Sequence, residues 1–131
     1  MDTTILVAAE RRREVLDQVI HDNDDVAVAA ITAAELLVGV ELADGRRRQS
    51  RQRYVEAVLD ALPVESYDLD VARAHALLLA DVRRRGRPRG AHDLLIAATA
   101  LARNREVITT DQPGFSDLPG VRLRLAAERQ E

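Results

Sequence analysis

The chain contains no cysteine, which excludes disulfide frameworks, thiolate zinc sites and thiol nucleophiles. It contains no lysine either: all 19 basic residues are arginine. Chemistry that requires a lysine is therefore absent, including Schiff bases, the P-loop lysine and the lysine of phosphorelay receivers. Aromatics number only three, with no Trp, so a surface that binds single strands by stacking bases on rings is not expected. No apolar run approaches the ~18 residues of a membrane span. The amino terminus lacks the layout of a secretory signal, so a cytoplasmic protein without a membrane partner is expected.

What remains is aliphatic and charged. Hydrophobic residues make up 47% of the 131 and the formal net charge is −3. That length fits a single domain spanning 1–131 with a sizeable Ala/Leu/Val core. The negative balance argues against a bulk polyanion binder. The charges are nevertheless segregated. Arg46, Arg47, Arg48, Arg51 and Arg53 form one basic block, and Arg83, Arg84, Arg85, Arg87 and Arg89 form another. Acids gather at Asp17, Asp22, Asp24 and Asp25. Runs of this kind are commonly solvated helix ends.

Periodicity divides the chain into alternating strands and helices. Residues 3–22 read as one or two short helices, 25–31 as a buried strand, 32–43 as a helix with Gly39 as its weak point. Residues 48–62 carry Tyr54, Val55, Val58, Leu59 and Leu62 on one helical face. A short strand over 63–67 precedes a long helix over 68–86, closed by arginines and Gly86 as dipole and C-cap preferences favour. After the loop 86–90, residues 91–104 are apolar nearly all round, which predicts a buried helix. Residues 106–110 predict a strand and 111–120 a turn-rich loop. The alternating "VRLRL" (121–125) predicts an edge strand with one exposed face. Strand–helix alternation of this kind predicts an α/β domain with a parallel sheet. Ligands of such sheets bind beyond the carboxyl ends of the strands.

Four acids recur near those ends. Asp2 opens the first helix, Glu35 sits one turn into the helix after strand 25–31, Asp93 opens the buried helix, and Asp111 follows strand 106–110. Each has an ordinary explanation. Thr32-Ala33-Ala34-Glu35 reads as a capping box. Asp2 and Asp93 suit helix amino termini, and Asp111 before Gln-Pro-Gly suits a turn. Their shared position at one sheet edge is what the ordinary explanations leave out. Converging carboxylates cannot all stay ionised without a cation, and hard oxygen ligands select Mg²⁺ or Mn²⁺. The three histidines, His21, His75 and His92, are too dispersed for a histidine-ligated metal, and only His92 lies near this edge.

The stretches "DTTILVAAER", "TAAELLVGVELA", "HDLLIAATALA" and "VITTDQPGFSDLPGVRL" resemble, in order and spacing, the four acidic motifs of PIN-domain ribonucleases. The short length is similar to that of the VapC toxins of bacterial toxin–antitoxin pairs. The resemblance covers the whole chain. It implies a three-layer α/β/α domain with a mostly parallel sheet of about five strands, and Mg²⁺-dependent endoribonuclease activity. It implies an acidic pocket of Asp2, Glu35, Asp93 and Asp111, with the metal held chiefly by Asp2 and Asp93. Thr3 or Thr4 and Thr109 or Thr110 would orient the acids. It also implies a small VapB-like antitoxin as partner and a homodimer, for which the apolar 36–43 and the helix at 48–62 are candidate surfaces. Pro113 and Gly114 stand where the family commonly has polar residues.

One departure concerns the first strand. Family members place several apolar residues before the first acid, and these form the central strand. Only Met1 precedes Asp2 here, so a truncated central strand is expected, or a functional chain that starts upstream. Arg85, Arg87 and Arg89, on the loop leading into Asp93, are the candidate contacts to RNA phosphates. A phosphorelay receiver, a haloacid-type phosphatase with its Asp-x-Asp pair and a P-loop enzyme each need residues this chain lacks. The remaining alternative is a catalytically impaired PIN module serving as an RNA- or protein-binding scaffold. The truncated strand favours that alternative and the four intact acids oppose it.

Overall fold

In the computed structural model, residues 4–7, 24–109 and 112–125 are described. Five strands, β1 (Thr4–Val7), β2 (Asp25–Ala29), β3 (Val64–Glu65), β4 (Glu106–Thr109) and β5 (Arg122–Leu125), form one parallel sheet in the order β3-β2-β1-β4-β5. The helices among the described residues are α1 (Ala30–Glu41), α2 (Gly45–Ala61), α3 (Leu69–Arg85), α4 (Ala91–Arg103) and the single-turn α5 (Gln112–Phe115). The α/β class and the five-stranded parallel sheet are as the sequence predicts.

The central strand is not where the sequence reading puts it. β1 occupies residues 4–7, inside the stretch expected to be helical and after Asp2 rather than before it. Its residues pair on both sides: Ile5 lies opposite Val26 and Glu106, and Val7 opposite Val28 and Ile108. The middle of the sheet is therefore filled by "TILV", whose β-branched residues suit a central strand. The expected gap in the ladder does not occur. Asp2, Thr3 and the expected helix over 8–22 lie outside the described residues.

From β1 the chain steps outward through β2 to β3, then crosses to β4 and β5 on the other side. The order of strands thus reverses between β1 and β4, the kind of switch point beside which parallel sheets open a binding crevice.

Local chemistry sets the helix bounds. Asp68 caps α3, its carboxylate accepting from the Val71 N–H at 3.1 Å. Gly86 closes that helix at φ 66°, where a β-carbon would be strained. Along α3, Val71, Ala74, Leu78 and Val82 are buried at helical spacing. In α4, Leu94, Ile96, Ala97, Ala98, Thr99 and Ala100 are all buried, as its all-round apolarity predicts. α1 and α2 approach closely at Gly39, where an added β-carbon would stand 3.1 Å from the Arg51 guanidinium. The glycine that weakens the helix in isolation is thus what admits its neighbour.

Three local expectations change. The loop 111–120 contains α5, pinned by the buried Phe115 and by Leu118 beyond it. The box at Thr32 does not cap: α1 starts at Ala30 with Ala29 as an N-cap that offers no side chain. Thr32 is inside the helix, 1% exposed, and its hydroxyl has no hydrogen-bond partner among the described residues. β5 is an edge strand as expected, with Arg122 exposed and Leu123 half-buried, but the alternation breaks off in its second half, where Arg124 is half-buried and Leu125 exposed. Arg124 reaches Asp24 at 2.9 Å and Glu106 at 3.1 Å, and the Asp24 side chain is only 1% exposed. Asp24, read as part of a solvated acidic run, is a buried partner that ties β5 to the entrance of β2. Among the described residues no helix is long and apolar enough to cross a membrane.

Candidate active site

Connectivity brings Glu35 and Asp93 to the same edge. β2 delivers the chain to its carboxyl end at Ala29, and α1 begins there, so Glu35 stands on its second turn. α4 leads directly into β4 through Asn104 and Arg105, so its carboxyl end lies at the amino edge of the sheet and its amino end at the opposite edge. Asp93 is in the first turn of α4. The two helix starts meet through His92, whose Nδ1 lies 2.5 Å from the Glu35 Oε2. An ionised carboxylate only accepts, so the imidazole carries its proton on Nδ1 and donates it to Glu35. His92 is 56% exposed and Glu35 31%.

Asp93 is half-buried. Its carboxylate lies back over the helix cap: a β-carbon added at Gly90 would meet Oδ2 at 3.6 Å, an ordinary contact. At that point the unpaired N–H groups of the first turn and the helix dipole favour an anion. The buried Leu94 and Ile96 behind it hold the helix start against the core. Thr109, the last residue of β4, is 2% exposed at this same carboxyl edge. Thr4 begins β1, at the far end of that strand. Asp2, Thr3, Thr110 and Asp111 lie outside the described residues, so the structure brings together two of the four acids read from the sequence. Among the described residues no three His, Asp or Glu gather closely enough to hold a metal ion.

The arginines of the loop serve different ends. Arg85 donates to Asp81 at 3.0 Å and to the Asp117 carbonyl. Arg89 is half-buried and donates to the Ser116 carbonyl at 3.0 Å, and to the carbonyls of Arg87 and Pro88 at 3.2 and 3.4 Å. Arg85 thus ties the end of α3, and Arg89 the loop before Asp93, to the turn after α5. Arg87, 67% exposed and 3.8 Å from the Asp117 carboxylate, is the member of the three that faces solvent. Of the three arginines expected to contact phosphate, two also hold backbone carbonyls of the turn at 116–117.

A second charged cluster joins β3 to the end of α4. Arg103 reaches Glu65 at 3.0 Å and Asp68 at 2.8 Å. Arg105, 9% exposed, donates to Glu65 at 2.8 Å and to the Asp25 carbonyl at 2.8 Å. The Val71 N–H, followed by the Arg103 guanidinium, holds the Asp68 carboxyl below its ordinary range, and Asp68 in turn raises Arg103. Every acid here is matched by a guanidinium, so this cluster reads as a structural clasp.

Sequence reasoning missed the His92–Glu35 link and the Arg85–Arg89 clamp. The first had a signal. His92 precedes Asp93 on a helix whose start was already placed at the acidic edge. The second had none, because Ser116 and Asp117 offer backbone carbonyls that any residue carries.

The chain is similar to known proteins of one family. A model of the PIN domain matches residues 1–121. The ribonuclease VapC5 of Mycobacterium tuberculosis is 37% identical over 123 residues, covering 92% of this chain and 87% of that protein. The tRNA(fMet)-specific endonuclease VapC of Salmonella typhimurium is 26% identical over 122 residues, covering 93% and 91%. Among solved structures, the VapBC-5 toxin–antitoxin complex of M. tuberculosis superposes with a TM-score of 0.77 at 30% identity, covering 94% of this chain and 97% of that one.

Proposed function

The chain belongs to the PIN domain family, in its VapC branch, and on that premise we propose that it is an endoribonuclease toxin of a toxin–antitoxin pair, hydrolysing RNA phosphodiester bonds with the help of a divalent cation. The observation that supports the reading is that Glu35 and Asp93 both stand at the carboxyl edge of the sheet, with Glu35 2.5 Å from the His92 that precedes Asp93. Two acids from distant parts of the chain have no structural need to share that edge.

The donors fit a hard cation. They are carboxylate oxygens, no thiolate is present, and the nearby imidazole is committed through Nδ1 to Glu35. Asp93 would hold the ion, with Glu35 and Asp111 completing the acidic pocket. Mg²⁺, or Mn²⁺ in its place, would lower the pKa of a bound water and polarise the scissile phosphate. The protein's part is placement. The dipole of α4 favours charge on Asp93, and Asp111 as an ionised carboxylate would take the proton of the attacking water. Thr109 and Thr110 would orient the acids; Asp2, Thr3 and Thr4, assigned to this pocket by the sequence resemblance, come before or at the start of β1, whose amino end is at the opposite edge of the sheet. In-line attack leaves a 5′-phosphate and a 3′-hydroxyl. Arg87 is positioned to meet an incoming phosphate.

The scaffold alternative drew its support from a missing central strand, and β1 fills that place. An antitoxin partner is supported by the VapBC complexes that this fold matches. Leu37, Val38 and Leu42, 42%, 53% and 80% exposed on and just after α1, form an apolar face suited to its segment. A homodimer would use the remaining faces, including α2. The test is mapping of new 5′ ends in cellular RNA after induction, with Asp93→Asn alongside. New ends from the wild type alone are expected, and their absence would overturn the reading.

A further inference from the structure

We propose that His92 is a positioning residue for the reaction assigned above, acting through Glu35; the inference rests on the ribonuclease reading. A glutamate has three side-chain torsions and a large rotamer entropy. One that is 31% exposed would sample many positions unless held. The capping box that would have held Glu35 to its own helix is absent, since α1 begins two residues before Thr32. The hold comes from the neighbouring helix instead, by the Nδ1–H donation at 2.5 Å.

The place of the donor matters as much as its chemistry. His92 is the second residue of α4 and Asp93 the third. Residues next to each other on a helix point about 100° apart. His92 can therefore reach across to α1 while Asp93 lies back over Gly90. One dipeptide supplies an acid and also fixes the second acid relative to it. Fixing two carboxylates in advance is what lowers the reorganisation needed to reach the reacting geometry.

The test uses the geometry of substitute side chains. In His92→Asn the amide nitrogen falls near the place of Nδ1; in His92→Gln it is carried one carbon farther; His92→Phe keeps a ring without a donor. The substrate is a synthetic RNA spanning a cleavage site found by 5′-end mapping. His92→Phe is expected to lower kcat about tenfold, the scale of one hydrogen bond to a charged group, with KM within about twofold. His92→Asn should recover to within about threefold of wild type, and His92→Gln should not. In a Glu35→Ala background, which removes the acceptor, His92→Phe should add no further loss. An independent reading is the ¹⁵N spectrum of the His92 ring, which should show the Nδ1–H tautomer in wild type and lose that preference in Glu35→Ala. Because His92 is 56% exposed, all three variants should melt with the wild type. A wild-type kcat in His92→Phe would overturn the proposal, as would His92→Asn as slow as His92→Phe or an undiminished loss on Glu35→Ala. A wild type that cleaves no RNA would instead overturn the ribonuclease reading, and this one with it.

Discussion

Arg87 and Arg89 stand two residues apart on one loop, and the structure predicts opposite consequences for removing them. Arg89 makes one good bond, to the Ser116 carbonyl at 3.0 Å, and two weaker ones within its own loop. Its Nε is buried without a partner, which subtracts from the gain. Arg89→Met keeps most of the apolar stem and removes the head. One charge-assisted bond is worth about 1.5–3 kcal/mol, less a penalty of similar kind for the buried Nε. The expected cost is about 1 kcal/mol, or roughly 3–4 °C in Tm for a domain of this size. Arg87 is 67% exposed and 3.8 Å from Asp117, so Arg87→Gln should leave Tm within about 1 °C, as exposed pairs of this kind contribute little. In RNA binding the order reverses. Arg87→Gln should reduce the slope of log K against log salt by about 0.7, the loss of one phosphate contact on a single strand. Arg89→Met should leave that slope unchanged. Calorimetry and a salt titration with Asp93→Asn protein, which binds without cleaving, measure both. Equal salt slopes together with an unchanged Tm in Arg89→Met would refute the assignment of Arg89 to the clamp.

Other outcomes follow from single contacts. Asp93→Asn should abolish cleavage with little change in Tm, because the substitution removes a charge at nearly constant volume; wild-type activity in the variant would remove Asp93 from the site. Leu78→Ala, at 1% exposure in the centre of α3, should cost about 3 kcal/mol and roughly 10 °C by denaturant and thermal melts; a change under about 1 kcal/mol would mean the core repacks there. The folded-state pKa of Asp68 is lowered, first by the Val71 N–H and then by Arg103. Its contribution to stability is therefore full above the unfolded value of 3.8 and is lost as pH falls through the lower folded value. The stability difference between wild type and Asp68→Asn should accordingly shrink below about pH 4, and a difference that stays constant to pH 2 would contradict that origin.

The helices and outer strands were legible because their signals are local. The buried face of α3 and the all-apolar α4 show in their spacing, and Asp68 and Gly86 punctuate α3 where the dipole and the left-handed turn require. β1 was misread because "TILVAAERRR" carries both an apolar run and a helix-forming tail. Only the ladders to β2 and β4 decide between them, and those partners lie some 20 and 100 residues away. Asp24 was misread for a related reason. An acid in an acidic run looks solvated until Arg124, from the far end of the chain, reaches it. Of the site, Glu35 and Asp93 were legible as acids that follow strands or open helices. How Glu35 is held was not, because Thr32 offered a plausible local partner and the one it has, His92, is 57 residues on.

A carboxylate at the mouth of a buried helix, directly behind arginines, is thus explained by three separate constraints. The dry body of α4 must be covered on nearly every side, so its position in the core admits little adjustment. Its amino end consequently emerges at one fixed place, the sheet edge near the β1–β4 reversal. The arginines just before it have work of their own. Arg85, at the end of α3, and Arg89, on the loop, bind carbonyls at 116–117 and so lock this part of the chain to the segment that follows β4. Through Arg89 the turn at 116–117 is tied to the loop that leads into α4. Loosening the clamp at Arg89 should therefore disturb that turn and the start of α4 at once, while removal of the exposed Arg87 should disturb neither.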